Sequence, residues 1–226
     1  MEFFQNPELW IGLLKIIGIN IILSGDNAVV IALAARSLPP AQQKKAVLLG
    51  SGAAVVLRVG LTVVAARLLE MPCLQLAGGA LLLWIGVQLL SEDEGDDGHA
   101  KHHVSLLAAV RTILIADVVM SLDNVIAVAA AAKGSSLLLV AGLAISVPLV
   151  VFGSTLMIRL MQRYPFIVTL GAALIGWVGG ETMVSDTALA PLLHSQAWLH
   201  QAAPALGAAL VFGLGRWLQH RNRSDS

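Results

Sequence analysis

Charged residues are scarce in this sequence. Asp, Glu, Lys and Arg make up 12% of the 226 residues, whereas soluble domains carry about 25%. The chain is 57% hydrophobic and its mean hydropathy is +0.81. This composition excludes an ordinary soluble domain, and the formal net charge of zero gives no reason to expect a nucleic acid partner. The sequence therefore predicts a membrane protein whose first partner is the lipid bilayer.

Three further absences narrow the class. Cys73 is the single cysteine, so no disulfide can form within the chain. No basic residue precedes Lys15, so the start lacks the charged region of a secretory signal, and we expect the first helix to be retained. No phosphate-binding glycine loop is present, and therefore we expect no step driven by ATP.

What the sequence contains instead is a series of long apolar runs. A helix needs about 20 residues to cross ~30 Å of hydrocarbon, and it satisfies its own backbone hydrogen bonds there. We therefore predict an all-α polytopic membrane protein, a single membrane domain over 1–226. Its seven predicted transmembrane helices are 9–35, 46–69, 72–90, 104–132, 137–158, 166–184 and 202–218.

The distribution of Lys and Arg predicts the orientation. Nine basic residues, including Arg36, Lys44 and Arg163, collect at one set of helix ends, whereas Arg67 and Lys133 lie at the other. Because basic residues favour cytoplasmic loops, we expect the N-terminus outside and the C-terminus in the cytoplasm.

The sequence also contains an internal repeat. Residues 24–36 match 121–133, with Ser24, Asp26 and Asn27 opposite Ser121, Asp123 and Asn124, and residues 72–93 align with 165–186 without a gap. Because each copy holds three spans, an odd number, the second copy enters the membrane from the opposite side. We predict two inverted three-helix repeats plus a seventh helix, a plan found in many secondary transporters. The predicted parts are repeat one (about 9–90), a cytoplasmic acidic and histidine-containing linker (91–103), repeat two (about 104–184), an outer loop (185–201) and helix seven (202–218).

Four acidic residues fall inside predicted spans: Asp26, Asp117, Asp123 and Glu181. A charged side chain at the centre of a bilayer costs ~3 kcal/mol or more, so each acid needs a partner, a hydrated cavity or a cation. Arg58 is the one deep compensating charge, which leaves three unbalanced negative charges. Protons or a bound cation must supply the difference.

Oxygen-bearing side chains surround these acids. Asn20, Ser24 and Asn27 share one helical face, and so do Asp117, Ser121 and Asn124. A break of helix one near Gly25 would let further oxygens converge. Oxygen donors without Cys or His favour Mn²⁺, Mg²⁺ or Ca²⁺ and do not choose among them. Asn20, Ser24 and Ser121 fit equally well as hydrogen bonds between helices.

At these residues the chain resembles the TerC family of integral membrane proteins, which is grouped with the LysE-type exporters. The shared features are Ser-Gly-Asp-Asn in helix one, Asp117, Asp123 and Asn124 in helix four, an arginine deep in helix two, and seven spans. The chain is similar to the short, single-domain bacterial form, which implies a multi-pass protein of the bacterial plasma (inner) membrane. The resemblance implies export of metal ions, chiefly Mn²⁺, from the cytoplasm by a secondary transporter, with Mn²⁺ as cargo and no cofactor.

The resemblance also implies the ion ligands, which are Asp26, Asn27, Asp117, Asp123 and Asn124. Depth and charge add Arg58 and Glu181 to the polar lining, and the shared helical faces add Asn20, Ser24 and Ser121. Exchange of the metal for protons is our expected mechanism.

Other functions remain open at this stage. An exporter of amino acids or other small solutes of the LysE type is one, and an accessory protein that delivers metal to partner proteins is another. A homodimer or a second membrane protein stays open as a partner. An intramembrane aspartyl protease is disfavoured because Asp26 follows Leu-Ser-Gly and Asp117 follows Ala116, which do not match the motifs of those enzymes. We therefore expect no enzyme.

Overall fold

The computed structural model describes residues 18, 25–69, 71–91, 105–132, 136–190 and 198–224, with the side chain of Asp123 among those left out. These residues form seven α helices and no strand, which confirms the predicted all-α class. A 3₁₀ turn, Thr187–Leu189, follows the sixth helix. The helices are α1 (Gly25–Ala35), α2 (Pro40–Leu69), α3 (Leu74–Ser91), α4 (Leu106–Ala132), α5 (Ser136–Arg163), α6 (Phe166–Val184) and α7 (Leu199–Ser224).

Four helices of the described chain are long and apolar enough to cross a membrane. Their outer faces carry large exposed apolar side chains such as Val56 and Phe152, as expected for surfaces that contact lipid rather than water. The four candidate spans are Pro40–Thr62, Leu74–Ser91, Val140–Arg163 and Phe166–Val184.

Helix α2 begins six residues before the predicted span of 46–69. Pro40 occupies the first helical position, where its missing N–H costs no hydrogen bond and its fixed backbone angle suits a helix. Gln43 in the new first turn donates through Nε2 to the carbonyl oxygens of Arg36 and Leu38, both at 2.9 Å. The connection between α1 and α2 is therefore shorter than the apolar run alone predicts. Hydrogen bonds from Gln43 hold it in place.

Helices α3, α6 and α7 pack through glycine. A Cβ at Gly180 would meet the carbonyl oxygen of Ala203, and a Cβ at Gly207 would meet that of Gly176. A Cβ at Gly79 would likewise meet the carbonyl oxygen of Gly179. Such small residues let the backbones of membrane helices approach closely, so these three helices form one tightly packed group.

Both ends of α3 are held by side chains from elsewhere in the chain. At the beginning, the buried carboxylate of Asp186 accepts hydrogen bonds from the backbone N–H groups of Cys73 (3.0 Å) and Leu76 (2.9 Å). At the end, Arg36 Nη2 donates to the carbonyl oxygen of Leu89 at 3.1 Å. Each charge complements the helix dipole at its end, so α3 is anchored at both termini.

The Asp186 carboxylate also accepts from the N–H of Ala188 at 2.8 Å, beyond the end of the α6 span. Burial alone would raise its pKa, but the backbone N–H groups of Ala188, Leu76, Cys73 and Gln75 outweigh burial and hold the pKa below its ordinary value. Cys73 beside it has a φ of 67°, a left-handed conformation that a non-glycine residue adopts only where its surroundings hold it. Asp186 therefore fixes a strained turn as well as a helix end.

The contacts between α3 and α6 are reciprocal under the sequence alignment of 72–93 with 165–186. Gly79 approaches the backbone of Gly179, the aligned partner of Gly86, and Gly86 approaches the carbonyl oxygen of Ala172, the aligned partner of Gly79. Reciprocal contacts of this kind are expected for two copies related by a two-fold axis. The inverted repeat itself stays a prediction.

The contacts of these two helices with α4 and α1 are not reciprocal. A Cβ at Gly78 would lie 2.9 Å from the side chain of Val119, and a Cβ at its aligned partner Gly171 would lie 2.8 Å from that of Val29. Val119 aligns with Ile22 and not with Val29. Under the sequence alignment the two contacts are therefore offset by seven residues, about 10 Å of helix.

Candidate functional site

The ion pair between Arg58 and Asp117 joins α2 to α4 within the apolar core. Arg58 Nη2 donates to Asp117 Oδ1 at 2.5 Å, and Arg58 Nε donates to Ser121 Oγ at 2.9 Å. Ser121 Oγ in turn donates to Asp117 Oδ2 at 3.3 Å. Arg58 is 7% exposed, Asp117 is 7% exposed and Ser121 is fully buried. A buried carboxylate requires such partners because it has lost its water.

Asp117 and Ser121 meet Arg58 because they lie four residues apart on one face of α4. The sequence therefore predicted both the shared face and the compensating role of Arg58. Close packing of α2 on α4 places the guanidinium group there. Gly50 lies about two turns before Arg58 on α2, and a Cβ at Gly50 would be 2.9 Å from the side chain of Ile113 on α4.

The ion pair lines a buried cavity of about 20 Å³ between α1, α2, α4 and α5. Its polar lining consists of Asn27, Ser51, Arg58, Asp117 and Ser146, and six apolar side chains complete the wall. A space of this size holds about one water molecule. The cavity therefore suits a single small occupant.

Asp26 and Asn27 bring helix one to the same region. Asn27 is 4% exposed and lines the cavity. Asp26 is half-buried, accepts from the backbone N–H of Asn27 through Oδ1 at 2.7 Å, and lies near enough to interact electrostatically with both Arg58 and Asp117. The structure thus brings Asp26 of α1 close to Asp117 of α4 and to Arg58.

Other predicted site residues lie outside this cluster or outside the described chain. Asn124 is half-buried on α4 and does not line the cavity. The helical backbone of Asp123 is described and its side chain is not, while Asn20 and Ser24 lie outside the described residues altogether. A break of helix one near Gly25 stays a prediction for the same reason, although Gly25 itself is helical.

Glu181 does not join the cavity. It is exposed in the last turn of α6, three residues before the helix ends at Val184. It lies within the candidate span Phe166–Val184, as the sequence predicted, but it does not belong to the polar lining of the cavity that the sequence predicted for it.

Two cavity residues were not predicted, Ser51 and Ser146. Ser51 is 3% exposed, and its Oγ has no hydrogen-bond partner among the described residues. Ser146 is 5% exposed and donates to the carbonyl oxygen of Gly142 at 2.9 Å, which leaves its lone pairs available. Ser51 shares a helical face with Arg58 seven residues on, which is the one signal that could have identified it.

The cavity offers oxygen donors without a ready metal site. Within the described parts of the chain, no three His, Cys, Asp or Glu residues are grouped to hold a metal ion. Both oxygens of Asp117 already accept protein hydrogen bonds. An ion that binds Asp117 must therefore compete with Arg58 and Ser121.

Comparison with known proteins places these residues in a family. The sequence profile of the integral membrane protein TerC family matches residues 5–223. The uncharacterized membrane protein YjbE of Bacillus subtilis (strain 168) is 46% identical over 207 residues, which cover 92% of this chain and 94% of YjbE. No solved structure matches.

A second relative is longer. The UPF0053 inner membrane protein YoaE of Escherichia coli (strain K12) is 31% identical over 198 residues, which cover 79% of this chain but 38% of YoaE. The matched region is thus a smaller part of that protein than of this chain. With seven helices, apolar spans and a match over almost its full length, the chain is a multi-pass integral membrane protein that belongs to the TerC family.

Proposed function

We propose that this chain is a secondary transporter that exports divalent metal ions, most readily Mn²⁺, from the cytoplasm in exchange for protons. The observation that carries the proposal is the Arg58–Asp117 ion pair on the wall of a small buried cavity, with Asp26 nearby. Ionisable groups inside a membrane bundle are rare and mark ion pathways. A packing role alone would not require charged residues here.

The size of the cavity favours an ion over a larger solute. About 20 Å³ accommodates one water-sized occupant, whereas an amino acid is several times larger. An amino-acid exporter of the LysE type would need this cavity to widen greatly before it could bind its substrate. A metal ion that sheds part of its water fits with small side-chain movements.

The chemistry of the lining favours a hard cation. Asn27, Ser51, Ser146 and Asp117 provide amide, hydroxyl and carboxylate oxygens, which suit Mn²⁺, Mg²⁺ and Ca²⁺ better than Zn²⁺ or Cu⁺. Asp123 and Asn124 stay predicted ligands, since Asn124 does not line this cavity and the side chain of Asp123 is not described. The choice of Mn²⁺ among these ions rests on the resemblance to the family.

The two halves of the chain support an alternating-access mechanism. The reciprocal α3–α6 contacts fit a two-fold axis in the membrane plane, about which antiparallel copies are exchanged. The seven-residue difference between the Gly78–Val119 and Gly171–Val29 contacts supports the idea that the two predicted halves are in unequal positions. We infer that transport exchanges these two registers and so opens the site to the other side.

The proposed orientation has the N-terminus outside and the C-terminus in the cytoplasm of a bacterial inner membrane. The orientation follows from the Lys and Arg distribution, and the choice of membrane agrees with the name of YoaE, an inner membrane protein. The chain then acts as a transporter and not as an enzyme, and delivery of metal to partner proteins is the alternative use of the same site.

The test is the metal content of cells under manganese load. Cells expressing the native chain should retain less manganese than cells expressing Asp117→Asn at equal membrane abundance, with Mg, Ca and Zn measured alongside. Glu181→Gln is the matched control, since it neutralises an exposed acid of the same membrane domain, and it should export like the native chain. Equal manganese in native and Asp117→Asn cells would contradict the proposal.

A further inference from the structure

Ser51 of α2 differs from the other three buried serines of the described chain. Ser146 and Ser154 on α5 donate to the carbonyl oxygens four residues earlier, at 2.9 and 2.7 Å, which is how a serine within a helix often satisfies its hydroxyl group. Ser121 forms hydrogen bonds with both members of the buried ion pair. Ser51 is 3% exposed, yet its Oγ has no hydrogen-bond partner among the described residues. A buried hydroxyl group in this state costs free energy, which a ligand that binds it would recover.

The hydroxyl group of Ser51 belongs to the wall of the buried cavity. Ser51, Ala54, Val55 and Arg58 all line this cavity, and their spacing of three, four and seven residues places them on one face of α2. Gly50 brings α2 close to α4 at this level, since a Cβ there would lie 2.9 Å from a side chain of α4. Ser51 is therefore held at the cavity by a tightly packed helix.

The other polar groups of the lining already have partners. Both carboxylate oxygens of Asp117 accept hydrogen bonds, and the guanidinium group of Arg58 has no lone pair to offer a cation. Asn27 also has an interaction partner within the protein. The hydroxyl proton of Ser146 is committed, but its lone pairs are available. A cation can therefore bind the oxygens of Ser51 and Ser146, from α2 and α5, without breaking a protein hydrogen bond.

We propose that Ser51 is a specificity-determining ligand of the transported ion, and that its hydroxyl oxygen keeps the site selective for hard cations. This inference rests on the proposed function and names the residue of α2 that contacts the ion. A cavity of about 20 Å³ holds one small occupant, so the ion that enters it meets this oxygen. Oxygen donors suit hard cations such as Mn²⁺, whereas a sulfur donor of similar shape at the same position would favour soft cations.

The test exchanges this one oxygen for sulfur. The native chain, Ser51→Cys, Ser51→Ala and Ser154→Cys are purified at full length in detergent, and Cd²⁺ competes with Mn²⁺ while the electron paramagnetic resonance signal of free Mn²⁺ is recorded. A bond between sulfur and Cd²⁺ is detected separately by its ultraviolet charge-transfer absorption. Ser154→Cys is the matched control, because Ser154 is fully buried on α5 and does not line the cavity. Cys73 is exposed and common to all four proteins, so its contribution cancels.

The ratio of Cd²⁺ to Mn²⁺ affinity should rise at least about ten-fold in Ser51→Cys, and this variant alone should gain a charge-transfer absorption above that of the native chain. Ser51→Ala should bind Mn²⁺ a few-fold more weakly, because one oxygen ligand is lost. Ser154→Cys should keep the native ratio. A purely structural role for Ser51 would change the unfolding temperature and leave the ratio of affinities as it is.

Two results would overturn the inference: a native ratio without new absorption in Ser51→Cys, or an equal rise of the ratio in Ser154→Cys. If Ser51→Cys does not fold, Ser51→Ala decides, because unchanged Mn²⁺ affinity in that variant excludes the hydroxyl group as a ligand.

Failure of the proposed function gives a different result. A native chain that binds Mn²⁺ and responds to Ser51→Cys as expected, but carries no Mn²⁺ across a membrane, would support the ligand and contradict the transporter. A native chain that binds no divalent ion would contradict both.

Discussion

Helices α1, α2, α4 and α5 line a small cavity that holds the buried ion pair, whereas α3, α6 and α7 pack glycine against backbone. Both groups are built from the same apolar residues, yet Arg58 and Asp117 lie in the first group and the closest helix contacts lie in the second. Buried ion pairs add little stability because desolvation offsets their attraction. Close helix packing stabilises membrane bundles directly. The comparison indicates that the candidate binding site and the closest helix packing lie on different helices.

Disrupting the packing of α3, α6 and α7 should lower the stability of the chain more than any other change considered below. Gly207→Leu should prevent stable packing of α7 on α6, because a side chain there must displace the carbonyl oxygen of Gly176. We expect a loss of about 3 kcal/mol or more, seen as a lowered thermal unfolding temperature in detergent. Gly213→Leu is the control on the same helix, since nothing lies within 4 Å of a Cβ there. Equal stability of the two variants would contradict the packing role of Gly207.

Removing the Arg58–Asp117 ion pair should have the opposite result, with a large loss of transport and little loss of stability. The double variant Arg58→Gln/Asp117→Asn replaces the buried ion pair by neutral groups of similar shape, which often leaves stability nearly unchanged. Its unfolding temperature should stay close to native while its Mn²⁺ transport falls at least about ten-fold. Retained transport in a well-folded double variant would show that the ion pair is structural.

Asp186, which holds the beginning of α3, should contribute less to stability than the glycine packing does. Asp186→Asn should destabilise the chain by about 1–3 kcal/mol, because buried backbone N–H groups lose a charged acceptor. The pKa of Asp186 is lowered on folding, so the stabilisation is present above the ordinary carboxylate pKa and is lost as pH falls through the folded value. The difference from native should be constant above about pH 5 and shrink in more acidic buffers.

Asp186→Ala is the companion variant for that anchor. It removes both the charge and the acceptor, so it should be at least as destabilising as Asp186→Asn at neutral pH. A stability difference that instead grows below about pH 4 would contradict the lowered pKa.

Removing the Ser51 hydroxyl should give a small change, a lower Mn²⁺ affinity without a loss of stability. Ser51→Ala removes a buried Oγ that lacks a partner in the described chain, so stability should be unchanged or raised by up to about 1 kcal/mol. Mn²⁺ affinity should nevertheless fall by a few-fold if the hydroxyl serves the occupant of the cavity. Ser154→Ala on α5 is the control, because its Oγ already donates to the carbonyl oxygen of Val150. That variant should alter stability and leave ion affinity as it is.

The sequence predicted the helices well because hydropathy reflects the solvent that each helix meets. It also predicted Arg58 as the partner of the deep acids, since few other charges are available at that depth. It missed Ser146, because a lone serine in an apolar helix gives no sign of what it faces, and it missed Ser51, whose one signal was the helical face that it shares with Arg58. It added Glu181 to the polar lining on depth alone, whereas the side chain is exposed and outside the cavity, since depth does not reveal which way a side chain faces.

The anchoring of α3 could not be read from sequence at all. Asp186 is 110 residues from Leu76, and Arg36 is 53 residues from Leu89. Such pairs depend on how the helices pack in three dimensions, which the local sequence pattern around each residue does not predict. The same holds for the reciprocal contacts of Gly79 and Gly86, which the alignment alone could only suggest.

The most direct test of the account is Mn²⁺ entry into proteoliposomes that contain the purified chain and an enclosed manganese-sensitive dye. The native chain and Glu181→Gln should carry Mn²⁺ at similar rates, and Asp117→Asn, reconstituted at equal density, should reduce the rate to near that of empty liposomes. Equal rates for the native chain and Asp117→Asn, or no flux above empty liposomes for any of them, would contradict the claim that the buried acids form the ion pathway.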